Sequence, residues 1–352
     1  PQGPAPAEIR AEARHAATSA QDSDDLIQRL RQGFAMPEGH HPRIEAHRVS
    51  LTGKQAYVDR VLGRASRFMY LAVTEAERRG LPTELALLPV IESAYDPMAL
   101  SRSQAAGLWQ FIPDTGRLFG LKQTWWYDGR RDPLESTRAA YDYLSQLYAT
   151  FGDWELVLAS YNAGPGTVSR AVKRNRAAGL PTDFWSLRLP AETMNYVPRF
   201  QAVVALFKDP QGFRVALPNL PNRPYFRTIN TQGPLNLNDA AAVTGLDPEL
   251  LRSLNPGLRR DGLDPQGPHH LHVPASLDVA LENQVAGLAS ASPVRVVQLD
   301  APLPAALAAA PMSPVFTRLP VAARQPLGDG RHRVQARETW SSIARAYHTT
   351  AA

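Results

Sequence analysis

Leu85 to Ile91 is an unbroken apolar run, and Glu92 closes it with a carboxylate. A lone carboxylate among aliphatic side chains is costly to bury as an anion, so its pKa rises. A carboxylic acid still protonated near neutral pH is the group that general-acid catalysis needs. Three other clusters could serve such an acid. Gly107-Leu108-Trp109-Gln110 sets an amide beside a large ring, and Ser160-Tyr161-Asn162-Ala163-Gly164 ends a helix in polar side chains. Glu192 and Tyr196 stand at i and i+4 and so share one helix face. Hydroxyls and amides beside flat rings suit a groove that holds sugars. Taken singly, each cluster also reads as ordinary structure: an exposed helix-end Glu92, a Tyr161-Asn162 cap, a surface Gln110, a core Trp109.

The elements that must position these residues are helices. Asp22 to Phe34 reads as a short amphipathic helix, and Gln55 to Arg79 as one long helix ended by Gly80. Pro82-Thr83-Glu84 starts the helix that leads to Glu92. Ala94 to Ala105 is turn-rich and could lie over a cleft. Asp132-Pro133 and Asp153-Trp154 open two more helices, Thr167 to Arg176 resumes after Gly164-Pro165-Gly166, and Pro190 to Phe207 is helical with an interruption at Pro198. Asp96, Asp114 and Asp132 sit in turn or helix-start contexts, where capping is their expected role. No strand-like alternation occurs between 55 and 207, which predicts one all-α domain.

Beyond Asp209 the composition changes. Residues 209–224 are a Pro-rich linker. Residues 225–276 alternate strand, two helices and strand, and 277–330 read as an Ala/Pro-rich linker with a short helix near Leu277 to Leu288. Residues 331–352 hold a strand and a helix and look like half a module. Residues 1–20 are Pro/Ala-rich and expected to be poorly ordered.

The 352 residues carry a formal charge of +5 and no cysteine, which excludes disulfides, thiolate metal sites and a Cys nucleophile. The basic balance lacks basic runs interleaved with aromatics, so nucleic acid is not an expected partner. His40 and His41 have no third ligand at metal spacing and read as a surface loop. No apolar stretch approaches a membrane span of about 20 residues. The chain begins at Pro1 without Met, so a preceding segment is expected, one that could have carried a signal peptide or lipid anchor.

The four clusters, in this order, resemble the soluble lytic transglycosylase family, whose pattern is Glu-Ser, Gly-Leu-Met-Gln, Ala-Tyr-Asn-Ala-Gly and Glu-Thr-x-x-Tyr-Val. Trp109 stands here for Met and Ser160 for Ala. The string AAGLWQFIPDTGRLFGLK followed by YDGRRDP is similar to the family's membrane-bound D branch, which carries LysM modules. GLDPELLRSLNPGL with LHVP resembles a degenerate LysM, and HRVQARETWSSIARAYHTT the first half of another. The resemblance implies a mainly α chain: an N-terminal extension (1–42, partly disordered), a lysozyme-like all-α catalytic domain (43–208), and small βααβ modules that bind N-acetylglucosamine-containing glycans.

It further implies cleavage of the β-1,4 MurNAc–GlcNAc bond of peptidoglycan with a 1,6-anhydro product. Glu92 acts as acid and then base, with no cofactor or metal called for. Ser93, Gln110, Tyr161, Asn162, Glu192 and Tyr196 are the implied substrate-binding residues, and Trp109 is expected to alter a sugar subsite. The implied location is the periplasm of a Gram-negative bacterium, with outer-membrane anchoring through the missing N-terminal segment. Two other readings stay open: a lysozyme-type hydrolase on the same scaffold, with one of the Asp residues activating water, and a non-catalytic glycan-binding protein.

Overall fold

The computed structural model describes residues 24–291. The expectations for 1–20, for 292–330 and for the half-module 331–352 lie outside the described residues.

The helical part is built from α1 (Leu26–Gln32), α2 (Pro42–Leu51), α3 (Gln55–Ala65), α4 (Met69–Arg78), a 3₁₀ turn at Thr83–Leu87 running into α5 (Leu88–Glu92), α6 (Pro113–Leu118), α7 (Pro133–Phe151), α8 (Trp154–Ala163), α9 (Pro165–Ala177) and α10 (Ala191–Lys208). The 3₁₀ turn and α5 are buried: Leu85, Ala86, Leu87 and Leu88 expose nothing, and Glu84, buried with them, accepts from the Ala35 and Met36 N–H groups. α1, α4 and α10 pack against this short central rod. The starts follow the sequence signals. Asp132 accepts from the backbone N–H groups of Leu134 and Glu135, and Asp153 from that of Leu156.

Several expectations need correction. The domain does not start at 43, because Leu26, Ile27 and Leu30 of α1 are buried in the same core. Residues 209–224 are not a free linker, since Phe213, Val215 and Leu220 pack into that core as well. The helix expected over 55–79 is two helices, broken at Ser66–Phe68. Buried Ala65, Phe68, Met69 and Ala72 keep helical spacing through the break, so periodicity does not register it. Pro198 does not interrupt α10. A proline leaves the carbonyl four residues earlier without its helix donor. Here that carbonyl, of Met194, accepts a hydrogen bond from Arg43 Nη1 at 3.2 Å. Residues 42–51, left unassigned by periodicity, form α2, and His41 caps it by accepting from the Arg43 N–H.

A smaller βααβ unit follows: β1 (Phe226–Asn230), α11 (Leu237–Thr244), α12 (Pro248–Leu254) and β2 (His270–Pro274). The strands pair antiparallel, with Thr228 opposite His272. α13 (Val279–Ala291) packs onto this unit, contributing buried Val285 to its core. The segment expected as linker from 277 is therefore, as far as 288, part of the module. Leu271 and Val273 on one face of β2 enter the module's own core. Phe226 instead reaches the core of the helical part, edge-on to Phe68 with ring centroids 6.2 Å apart.

The segment 121–132 joins the two parts. Asp128 N–H donates to the Gly257 carbonyl at 2.8 Å, Arg259 N–H to that of Trp126 at 2.8 Å, and the Thr124 hydroxyl to Asp264 at 2.8 Å.

Candidate active site

Glu92 ends α5, and the chain leaves it through two left-handed residues, Ala94 (φ 50°) and Tyr95 (φ 57°). Non-glycine residues adopt this conformation at a cost and keep it only where surroundings enforce it. Tyr95 supplies the enforcement. Its ring is fully buried, its hydroxyl donates to the Ala86 carbonyl at 2.5 Å and its N–H to that of Pro89 at 3.0 Å. The Glu92 carboxyl is thus delivered to a groove of about 880 Å³ between α2, α5, α8, α10 and the loop 101–112.

The Tyr196 hydroxyl donates to Glu92 Oε1. Burial pushes the Glu92 pKa up to about 7, against a smaller downward pull from the Tyr196 hydrogen bond and the Arg199 charge. Burial, with the neighbouring Glu92 charge, holds the Tyr196 phenol well above its ordinary range, so it remains a neutral donor. Tyr161 also lines the groove, and its hydroxyl donates to the Trp109 carbonyl at 2.8 Å.

The loop carrying Gln110 is pinned from behind. Arg130 is buried and forks onto Asp128, with Nε at 2.9 Å and Nη2 at 2.8 Å, while its Nη1 donates to the Gln104 and Phe111 carbonyls at 2.7 and 3.2 Å. Gln110 itself is left-handed (φ 49°), and its amide donates to the Gly107 carbonyl at 2.9 Å. Across the groove, Asn162 accepts from the Thr193 hydroxyl at 2.7 Å and donates to the exposed Glu192 at 3.4 Å.

Of the residues read from sequence, the structure brings Glu92, Gln110, Tyr161, Asn162, Glu192 and Tyr196 to one groove. Ser93 is not among its lining residues. The Ser93 hydroxyl turns inward and donates to the Leu108 carbonyl at 2.9 Å, tying the acid's helix to the 107–110 loop. Trp109 is corrected too. It is fully buried, donates from Nε1 to Thr137 at 3.0 Å and packs edge-on to Tyr141, so it shapes the core and not a subsite. Ser160 is buried with its hydroxyl lacking any partner.

Sequence reading missed His47, Asn195 and Arg199, which also line the groove. Asn195 and Arg199 continue the Glu192–Tyr196 face of α10 at i+3 and i+7, so helical spacing alone could have found them. His47 lies on α2, whose start was signalled by Pro42 at the first helical position. Burial and the Arg199 charge lower its pKa.

The carboxylates lining the groove are Glu92 and Glu192. The three Asp residues considered as partners for the acid lie elsewhere: Asp96 accepts from the Met98 N–H, Asp114 pairs with Arg117, and Asp132 caps α7.

Residues 69–182 match the family described as Transglycosylase SLT domain, and residues 225–289 the one described as Lytic transglycosylase MltD, LysM-like domain. The chain is similar to membrane-bound lytic murein transglycosylase D of Escherichia coli K12, 38% identical over 258 residues that make up 73% of this chain and 57% of that protein. It thus spans little more than half the length of that relative. A protein of Alteromonas sp. named for tributyltin chloride resistance is 36% identical over 159 residues, 45% of this chain and 76% of its own. Membrane-bound lytic murein transglycosylase C of Pectobacterium atrosepticum is 32% identical over 133 residues, 33% of this chain and 37% of its own. With the fold, the ordered clusters and these matches together, the chain belongs to the SLT-domain family of lytic murein transglycosylases, in a form that carries an MltD-type LysM-like module.

Proposed function

We propose that this groove cleaves the β-1,4 bond between N-acetylmuramic acid and N-acetylglucosamine in peptidoglycan, closing a 1,6-anhydro ring on the muramoyl sugar. The observation that carries the reading is a buried acid held by a neutral phenol, Glu92 beside Tyr196. Glu92 has a pKa near 7, and the other lining carboxylate, Glu192, is exposed and hydrogen-bonded to Asn162. A glycosidase that hydrolyses with two carboxylates needs the second about 5–9.5 Å away, as nucleophile or as base for water.

Glu92 donates its proton to the bridging oxygen as the C1–O bond breaks. The muramoyl C6 hydroxyl forms the new bond to C1, and its proton returns to Glu92, so the acid is regenerated and no water is consumed. That hydroxyl is tethered to the reacting sugar, which supplies the proximity that a positioned nucleophile would otherwise provide. Tyr196 orients the carboxyl. Gln110, Tyr161, Asn162 and Glu192 present amide, ring and carboxylate surfaces to the glycan, and Ser93 acts from behind by holding the loop.

A peptidoglycan substrate suits a periplasmic enzyme, and the similarity to membrane-bound lytic murein transglycosylases suits one held at the outer membrane. Among the described residues no helix is long and apolar enough to cross a membrane. The LysM-like module serves as a second glycan contact on the same strands.

Digestion of purified sacculi tests the chemistry. Released muropeptides are expected to end in 1,6-anhydro-N-acetylmuramic acid and to resist borohydride reduction. Reducing ends that gain oxygen-18 from labelled water would make this a lysozyme-type hydrolase instead.

A further inference from the structure

Asp132 uses only one of its oxygens as a helix cap. Oδ1 accepts from the N–H groups of Leu134 and Glu135, both at 2.9 Å. Oδ2 faces the C-terminal module, where His270 Nε2 lies at 3.0 Å and His272 Nε2 at 3.1 Å. The two histidines alternate with Leu271 on β2, so they share the strand face opposite the one that builds the module's core. Asp132 and His272 are buried and His270 nearly so, with 11% of its side chain exposed. The three ligand atoms lie within 4.8 Å of one another.

The geometry points to a divalent transition-metal site of the zinc class, formed by Asp132 of the helical part and His270 and His272 of the module, which fastens the two together. Zinc takes imidazole nitrogen and carboxylate oxygen at about 2.0–2.2 Å, and a tetrahedron of that size has edges of about 3.3 Å. Separations of 3.0 and 3.1 Å are close to those edges.

Two further features suit a metal. A ligating histidine usually has its other nitrogen held by an outer partner, which fixes the ring and the tautomer. The Thr228 hydroxyl, 2.9 Å from His272 Nδ1, is such a partner, and it can accept from an Nδ1–H when Nε2 turns its lone pair to the ion. Tyr127 stands edge-on to His270 with ring centroids 6.5 Å apart, its hydroxyl buried. The Tyr127 ring and the Asp132 Cβ flank the same point, 2.8 and 3.1 Å from where a Cβ on Gly257 would lie, so the phenol packs beside the cluster. The site takes no part in the groove chemistry. Its ligands are 138 and 140 residues apart along the chain, so the ion would close a long loop and hold the module in one place.

The full chain, stripped with chelator and titrated with zinc(II), is expected to take up one equivalent that disappears in His270→Gln and in His272→Gln. Binding should raise the melting temperature of the parent and leave those variants unmoved. Cobalt(II) at the same site should give the visible absorption of a four-coordinate ion, also lost in the variants. Thr228→Val, which keeps the ligands and removes the outer partner, should bind zinc about 10–100-fold more weakly. His270 is at the module's edge, so His270→Gln decides the matter should His272→Gln fail to fold. The site is overturned if the parent takes up no stoichiometric zinc, or if His270→Gln keeps the equivalent and its thermal shift.

Discussion

Gly107 stands against the backbone of Arg130 so closely that a Cβ on it would lie 1.8 Å from the Arg130 carbonyl oxygen. Its φ of +82° also lies in the region that side chains avoid. The glycine of the first groove motif is therefore fixed by the segment behind it, and Gly107→Ala must move backbone on one side or the other. We expect a loss of about 3 kcal/mol or more in thermal or denaturant unfolding, with activity falling together with the position of Gln110. An alanine variant of parental stability would show that the loop is free of Arg130.

The raised pKa of Glu92 links activity to stability. The folded chain holds this proton more tightly than the unfolded chain, whose carboxyl titrates near 4.5. Its contribution to stability is complete below pH 4.5 and is lost as pH rises through about 7. Glu92→Gln removes that dependence. Relative to the parent, the variant should gain up to about 3 kcal/mol between acid and mildly alkaline pH. In the same experiment its sacculus digestion should fall by about 10²–10⁴-fold. Parallel stability curves for the two proteins would place the Glu92 carboxyl in solvent.

Tyr196→Phe separates orientation from acidity. The hydrogen bond it removes pulls the Glu92 pKa down, so the variant's acid should titrate higher. The alkaline limb of kcat/KM is expected to move to higher pH while the plateau drops. A lowered plateau with an unmoved limb would mean that the phenol acts on substrate and not on the carboxyl.

Ser160 gives a test of opposite sign. Its hydroxyl is buried without a partner, and such a group costs about 1–3 kcal/mol. Ser160→Ala restores the residue usual in the family and is expected to raise stability by about 1 kcal/mol with turnover unchanged. A destabilised variant would reveal a bonded hydroxyl at that position.

The acid and most of its groove were legible because each motif pairs a residue type with a spacing. Glu92 follows an apolar run, and Glu192 and Tyr196 share a helix face. Trp109 and Ser93 misled because residue type says nothing about direction: the indole turns to Thr137 and the hydroxyl to the Leu108 carbonyl. Asp132 was read as a cap, which it is, but its second oxygen meets His270 and His272 some 140 residues on, a pairing no local pattern encodes. The same holds for α1. Its amphipathic face was visible, yet its burial against the far end of the domain was not. Pro198 leaves α10 unbroken because a partner distant in sequence, Arg43, answers the carbonyl that the proline leaves open.

The far end that α1 meets has a mechanical meaning. Leu26 N–H donates to the Leu220 carbonyl at 2.8 Å, Asn222 N–H to that of Asp24 at 3.1 Å, and Arg29 reaches Asn222 Oδ1 at 2.9 Å. The chain thus enters and leaves the helical part at one spot, stitched across by short bonds. Tension applied at those two ends runs through the stitch, along the shortest path between them. The three bonds therefore hold entry and exit as one, so that loosening either end loosens the other.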